Sequence, residues 1–182
     1  MTEKQNPDLV IRPLRPDDAP VFTEEEKAQG WHADIAKYLG RLEDQEAGKC
    51  VPLAAELDGR PAGYVNVYRN GEEGLLGGRG IPIIVDLGVL QKYQRRGIGS
   101  ALMDAAEKIA AEWSDTVYLA VGLHDGYGSA QRMYVKRGYI PDGTGVWYHN
   151  RPCTPYDTVY TNDDDLVLFM VKELREGIPK GR

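Results

Sequence analysis

The sequence predicts an α/β fold in a single domain, and three observations predict it. Asp58-Gly59 sits between two apolar runs; this is a hairpin signature, because the tip of a tight hairpin needs residues that accept positive φ. Ile81 to Leu90 is nearly all apolar, as in a strand buried on both faces, and an amphipathic helix follows after a short turn. Thr116 to Leu123 is a second apolar run, again followed by a short helix. The chain has 182 residues, 42% of them hydrophobic, which suits one compact domain with a substantial core at about positions 9–173.

The elements follow in order. Leu9 to Leu14 reads as a first strand, ended by Pro13 and Pro16. Asp17 and Asp18 are N-cap residues for a helix to about Gln29, with Glu24, Glu25 and Glu26 on its exposed face. A second helix runs from about His32 to Glu46; Ile35, Ala36, Leu39 and Leu42 have helical spacing and Gly48 closes it. Leu53 to Leu57 and Pro61 to Tyr68 are the arms of the hairpin. Asn70 to Gly80 is Gly-rich, carries Glu72 and Glu73, and reads as a mobile loop, either a substrate lid or plain surface. The helix from Ser100 to Glu112 aligns Leu102, Ala105, Ala106, Ile109 and Trp113. A short helix covers Ser129 to Arg137 with Gly138 as its C-terminal cap, Tyr139 begins the next strand, and Leu166 to Lys172 is the last. Pro141 to Asn162, with Trp147, Tyr148, His149, Tyr156 and Tyr160 among Gly and Pro, reads as a long irregular connection. Such segments are often functional, and this one either lines an acceptor pocket or packs against a second subunit.

Gln94-Arg95-Arg96-Gly97-Ile98-Gly99-Ser100 carries the most chemistry. A strand, a turn with two glycines and a helix N-terminus make an anion site, since the first helical N–H groups lack partners within the helix. Arg95 and Arg96 add positive charge, so a phosphate or pyrophosphate suits the turn. A dinucleotide fingerprint would need a glycine at Leu102, and a Walker-type loop would need a lysine that Gly99-Ser100-Ala101 lacks. The Gln/Arg-x-x-Gly-x-Gly/Ala turn that cradles the pyrophosphate of coenzyme A is matched at every specified position.

Ile11-Arg12-Pro13-Leu14-Arg15-Pro16-Asp17-Asp18 looks like the first strand and turn of the GNAT superfamily of acyl-CoA-dependent N-acyltransferases. Leu87-Gly88-Val89 with Tyr93-Gln94-Arg95-Arg96-Gly97-Ile98-Gly99 is similar to that family's central strand and pyrophosphate turn. Ala130-Gln131-Arg132-Met133-Tyr134, then Val135-Lys136-Arg137-Gly138-Tyr139, resembles its fourth helix and next strand. The resemblance implies a mixed, mostly antiparallel sheet of about seven strands, splayed at its central strands and flanked by about four helices. It implies acetyl-CoA as co-substrate, no metal, and direct acetyl transfer to a primary amine. The turn Gln94 to Ser100 would hold the pyrophosphate, and the backbone of Leu87, Gly88 and Val89 the pantetheine and acyl carbonyl. Tyr134 would contact coenzyme A and protonate its departing thiolate.

The general base departs from the family pattern. Ile83 and Ala120 stand where relatives carry glutamates, and Tyr127 where an asparagine is common. Asp86 and His124 are the remaining candidates, beside a water chain with no single base. A carboxylate inside an apolar strand needs a partner or a wet cleft, so Asp86 should have one. His124 has the residue type best suited to base work near neutral pH. Without those glutamates, a non-catalytic acyl-CoA sensor on the same fold stands as the alternative to an N-acetyltransferase. A nucleotide-dependent oxidoreductase fits the glycine pattern poorly.

The formal net charge of −6 disfavours nucleic acid as partner and mildly favours cationic acceptors. The acceptor is open: a polyamine, an amino acid, an aminoglycoside-like drug, or a protein N-terminus or lysine. Glu72, Glu73 and Asp163 to Asp165 would favour a cationic one if they face the cleft. A homodimer is left open by the resemblance. No apolar run reaches the roughly eighteen residues of a membrane span. Met1-Thr2-Glu3-Lys4-Gln5-Asn6-Pro7 has no signal-peptide pattern, and Cys50 and Cys153 form no disulfide framework or zinc spacing. A cytoplasmic setting is expected.

Overall fold

The computed structural model describes residues 8–156 and 158–175; the polar start and Asp157 lie outside the described residues. The eight strands are β1 (Leu9–Pro13), β2 (Cys50–Leu57), β3 (Arg60–Tyr68), β4 (Ile83–Val89), β5 (Thr116–Gly122), β6 (Ile140–Tyr148), β7 (Arg151–Pro152) and β8 (Leu166–Glu173). The helices are α1 (Asp18–Ala28), α2 (Ile35–Glu46), α3 (Ile98–Trp113) and α4 (Gly128–Lys136). The additional strand beyond the expected seven is β7, of two residues. Among the described residues no helix is long and apolar enough to cross a membrane.

The chain divides into two compact units, residues 1–68 with 85–109, and residues 69–84 with 110–182. In the first, the strand order is β1-β2-β3-β4; β1 pairs antiparallel with β2, and β2 with β3. Asp58 (φ 50) and Gly59 (φ 75) form the hairpin tip that their sequence requires. Phe22, Tyr38 and Tyr64 pack on one face of this sheet with Leu14, Ala19, Ala54 and Leu90. Phe22 stacks on Tyr38 at 5.5 Å, and Tyr64 meets both rings edge-on at 5.1 and 5.3 Å. On the opposite face, a Cβ built on Gly63 would meet Leu102 and Ile98 of α3 at 3.2 and 3.3 Å. Glycine at 63 therefore lets α3 lie close on the sheet.

Two helix readings are corrected here. Ile35 and Leu39 of α2 are exposed while Tyr38 is buried, because the aromatic ring has the larger apolar area to bury against Phe22 and Tyr64. α2 also begins later than expected, at Asp34, whose side chain accepts from the Ala36 N–H at 2.9 Å. Glu26 is 2% exposed, not on the solvent face of α1. Tyr64 Oη donates to its Oε1 at 2.5 Å and Lys37 Nζ lies at 3.4 Å, which provides the partners a buried carboxylate requires. Cys50, at the start of β2, is buried, and burial pushes its thiol up to about 12.

β1 is tied to α1 by Arg12. Its Nη1 and Nη2 donate to Asp18 Oδ2 and Oδ1 at 2.7 and 2.8 Å, and its Nε donates to Glu56 Oε2 at 2.7 Å. Asp18 also accepts from the Arg15 N–H at 2.8 Å, whereas Asp17 makes no side-chain cap. Burial opposes the charge on Asp18, but the Arg12 hydrogen bonds and the Arg15 amide outweigh it and hold its carboxyl below the ordinary 3.8. Its contribution to stability is therefore present above that value and lost as pH falls toward the lower folded one. Asp18→Asn is expected to destabilise the fold by about 3 kcal/mol, since it leaves a buried guanidinium half-paired; urea unfolding at neutral pH measures it.

In the second unit the order is β4-β5-β8-β6-β7. The parallel ladder of β4 with β5 has two pairs, Ile83↔Tyr118 and Ile84↔Leu119. β5 and β8 are antiparallel from Thr116↔Glu173 to Gly122↔Val167, and β6 pairs antiparallel with β8 and β7. The segment from Pro141 is thus not an irregular connection at its start. It is strand β6, disguised by a register shift between Pro141 and Val146, where Gly143 and Gly145 have positive φ. The loop expected to be mobile at 70–80 is closely tied. Gly71 N–H donates to Ile81 O at 2.9 Å, Gly80 N–H to Asn70 Oδ1 at 2.8 Å, Gly74 N–H to Asn150 Oδ1 at 2.8 Å, and Tyr118 Oη to Glu73 O at 2.8 Å.

Candidate coenzyme site

The first unit assembles the turn from β4, one turn of 3-10 helix at Gln91–Tyr93, and the start of α3. Leu90 N–H donates to Ala62 O of β3 at 2.9 Å. Strand alternation then turns the Gly88 peptide groups toward β3 and those of Leu87 and Val89 away from it. Gln94 Nε2 donates to Val89 O at 3.1 Å, so this side chain ties the turn back onto its strand. Arg95 (φ 60) and Gly97 (φ 78) are left-handed, a conformation that gathers successive N–H groups into an anion-binding concavity. Ala101 N–H donates to Gly97 O at 3.0 Å. The amides of Ile98, Gly99 and Ser100 precede that bond, so they lack acceptors along the helix axis. A Cβ on Gly97 would find open space within 4 Å, and Arg95 and Arg96 are exposed. Amide donors, a helix N-terminus, open space and two cations are the set a pyrophosphate requires, so these residues fit the phosphates of acetyl-CoA.

Asp86 is left-handed (φ 53) in the middle of β4. Its Oδ2 accepts from Arg41 Nη2 at 2.5 Å, and its side chain is 35% exposed. Arg41 Nη1 donates to Tyr68 Oη, whose hydroxyl donates to Asp44 Oδ2 at 2.5 Å. Arg41 Cζ stands 5.0 Å from the centre of the Tyr68 ring. Lys37, one turn earlier, repeats the arrangement: its Nζ donates to Tyr64 Oη at 3.0 Å and stands 4.7 Å from the ring centre. Arg41, Tyr68, Lys37, Tyr64 and Glu26 were not singled out by sequence reasoning. The signal available was spacing, Lys37 and Arg41 four apart on α2 opposite Tyr64 and Tyr68 four apart on β3.

In the second unit, Tyr134 is buried on α4, and burial pushes its hydroxyl up to about 12. Its ring meets Tyr139 edge-on at 5.8 Å. His124 Nδ1 accepts from the Gly126 N–H at 3.1 Å, and Nε2 lies 2.9 Å from Asp164 Oδ1. With Nδ1 accepting, Nε2 carries the proton and donates it to Asp164. Hydrogen bonds from His124 and Tyr127 hold the Asp164 carboxyl below its usual value. The neighbouring carboxylates are engaged as well: Tyr148 Oη donates to Asp163 Oδ2 at 3.1 Å, and His149 Nδ1 lies 3.2 Å from Asp165 Oδ2. Ile83 is buried and Ala120 half-buried, so neither glutamate position carries a proton acceptor.

Solved structures share the fold. One is yncA from Salmonella typhimurium with its cofactor acetyl-CoA, 17% identical over 96% of this chain and 98% of that one, at a TM-score of 0.68. Another is the ribosomal-protein-S18-alanine N-acetyltransferase from Escherichia coli, 15% identical over 96% and 99%, at 0.66. Arabidopsis thaliana NAA60 with a bisubstrate analogue is 18% identical over 91% and 97%, at 0.64. No curated protein sequence matches the chain. The model of the Acetyltransferase (GNAT) family matches residues 11–139, a span that begins in β1, includes the whole of β4 and the turn, and ends just past α4. The chain belongs to that family.

Proposed function

We propose that this protein transfers the acetyl group of acetyl-CoA directly to a primary amine. The observation that carries the reading is the turn at 94–100, with its left-handed Arg95 and Gly97 and the amides that open α3. Acetyl-CoA supplies an activated acyl group as a thioester. The amides of Ile98, Gly99 and Ser100, with Arg95 and Arg96, take the pyrophosphate charge, and Gln94 keeps the turn on β4. Leu87 and Val89 present backbone groups away from β3, suited to pantetheine and the acyl carbonyl; fixed donors of this kind are usually a large catalytic term. The amine nitrogen forms the C–N bond as the C–S bond breaks. Tyr134 gives its proton to the leaving sulfur, for which a hydroxyl kept protonated by burial is suited.

The proton lost by the amine has two candidate routes in the chain. Asp86 has Oδ2 committed to Arg41, which leaves Oδ1 for a substrate amine or water. His124 has both ring nitrogens engaged and accepts a proton only if the Gly126 contact opens. These commitments, with Ile83 and Ala120 in place of glutamates, favour the non-catalytic sensor as the second reading. For the acceptor, the net charge of −6 supports a cationic amine. Related folds include the ribosomal-protein-alanine enzyme and a spermidine N-acetyltransferase chimera of Vibrio cholerae and hSSAT, so protein N-termini and polyamines head the acceptors to try. Asp163, Asp164 and Asp165 are poor candidates for holding that amine, being engaged by Tyr148, His124, Tyr127 and His149.

Calorimetric titration of acetyl-CoA, with NADH as control, tests the reading. Saturable binding of acetyl-CoA alone is expected, and absence of binding removes it. Release of free thiol with an amine acceptor then separates the enzyme from the sensor.

A further inference from the structure

Asp86 is a poor strand residue in a conformation that costs L-amino acids free energy, yet it stands one residue before the strand segment assigned to the acyl group. A left-handed residue inside a strand is a bulge, and a bulge shifts the alternation of everything after it. Without it, the peptide groups of Leu87 and Val89 would exchange sides with those of their neighbours. The orientation that the coenzyme reading depends on is therefore set at Asp86.

What holds Asp86 there is on α2. Arg41 Nη2 grips its Oδ2 at 2.5 Å. The guanidinium is itself fixed by the ring and hydroxyl of Tyr68, and that hydroxyl by Asp44 on the same helix. Burial opposes the charge on Arg41, but Asp86 and Tyr68 outweigh it and hold its pKa above the usual range. The planar fork reaches two partners at once, which a lysine at this place cannot do. The chain Asp44–Tyr68–Arg41–Asp86 thus runs from helix to strand and ends at the strained residue.

We infer that Arg41 is a positioning residue for coenzyme binding: by clamping Asp86 it maintains the β4 bulge that presents Leu87 and Val89. The inference rests on the acetyl-CoA reading of this turn and strand. It assigns Arg41 no contact with substrate and treats the bulge as the means by which the docking of α2 reaches the coenzyme site.

Glycine adopts positive φ without a clamp, and that provides the test. Arg41→Met should weaken acetyl-CoA binding about tenfold in calorimetry, the scale of one strained residue released. Asp86→Gly should bind like wild type, and the double variant R41M/D86G should recover the affinity that R41M lost. A merely structural role would lower the melting temperature of R41M without moving its affinity, and glycine at 86 would restore nothing. Should R41M fail to fold, Arg41→Lys with and without Asp86→Gly carries the same comparison. The inference is overturned if R41M, or R41K in its place, binds as wild type does, or if glycine at 86 gives no recovery. Wild type that does not bind acetyl-CoA removes the functional reading itself, a result distinct from either.

Discussion

Gly97→Asp is expected to abolish acetyl-CoA binding and leave the protein folded. Open space at the Cβ position means the new side chain meets no protein atom. The φ of +78° strains an L-residue by about 1 kcal/mol, and aspartate tolerates it better than most. Position 97 immediately precedes α3, where a carboxylate accepts from the first helical amides and stabilises the helix by about as much. The substitution therefore costs the fold little. The same carboxylate occupies the donors that a pyrophosphate would use and places negative charge against it. Losing two charge-assisted hydrogen bonds corresponds to at least about a hundredfold in affinity. Gly97→Ala is the control, since it brings the strain without the charge, and Gly99→Asp places the charge inside the first turn. Calorimetry measures all three, and unchanged affinity in both aspartate variants would remove this turn from the coenzyme site.

Tyr134→Phe is expected to lower kcat about a hundredfold, the usual scale for a positioned proton donor, with little change in acetyl-CoA affinity. The ring is buried and packs on Tyr139, and phenylalanine retains that packing. With its hydroxyl pushed up to about 12, Tyr134 keeps its proton throughout the neutral range, so no limb of a pH–rate profile below about pH 10 should belong to it. Thiol release under saturating acetyl-CoA measures the loss. Equal turnover in the variant would take Tyr134 out of the mechanism, and a parallel loss of affinity would make it a binding group.

Much of this architecture is local and was legible as such. Asp58-Gly59 requires a hairpin, Gly138 ends a helix in a left-handed residue (φ 90), and the two-glycine turn lies where the sequence places it. What escaped depends on partners far along the chain. Glu26 reads as one of three exposed glutamates until Tyr64, 38 positions later, offers its hydroxyl. An apolar strand makes Asp86 conspicuous and demands a partner for it, but nothing nearby in sequence identifies Arg41, 45 positions earlier. Ile35 and Leu39 have the spacing of a buried face, and only the Phe22–Tyr64 cluster decides that Tyr38 turns inward instead. Pro141, Gly143 and Gly145 look like loop residues because they form a register shift within a strand.

Cys50 gives the molecule an internal clock. A thiol enclosed in β2 and pushed up to about 12 is nearly all protonated and out of reach of alkylating reagents in the native state. Half-buried Cys153 lies just after β7 and is the more accessible of the two. In a Cys153→Ser background, modification therefore waits for β2 to open, and its rate reports how often the first unit breathes. The same labelling with and without acetyl-CoA would express ligand binding as a slowing of that clock, with no acceptor amine needed.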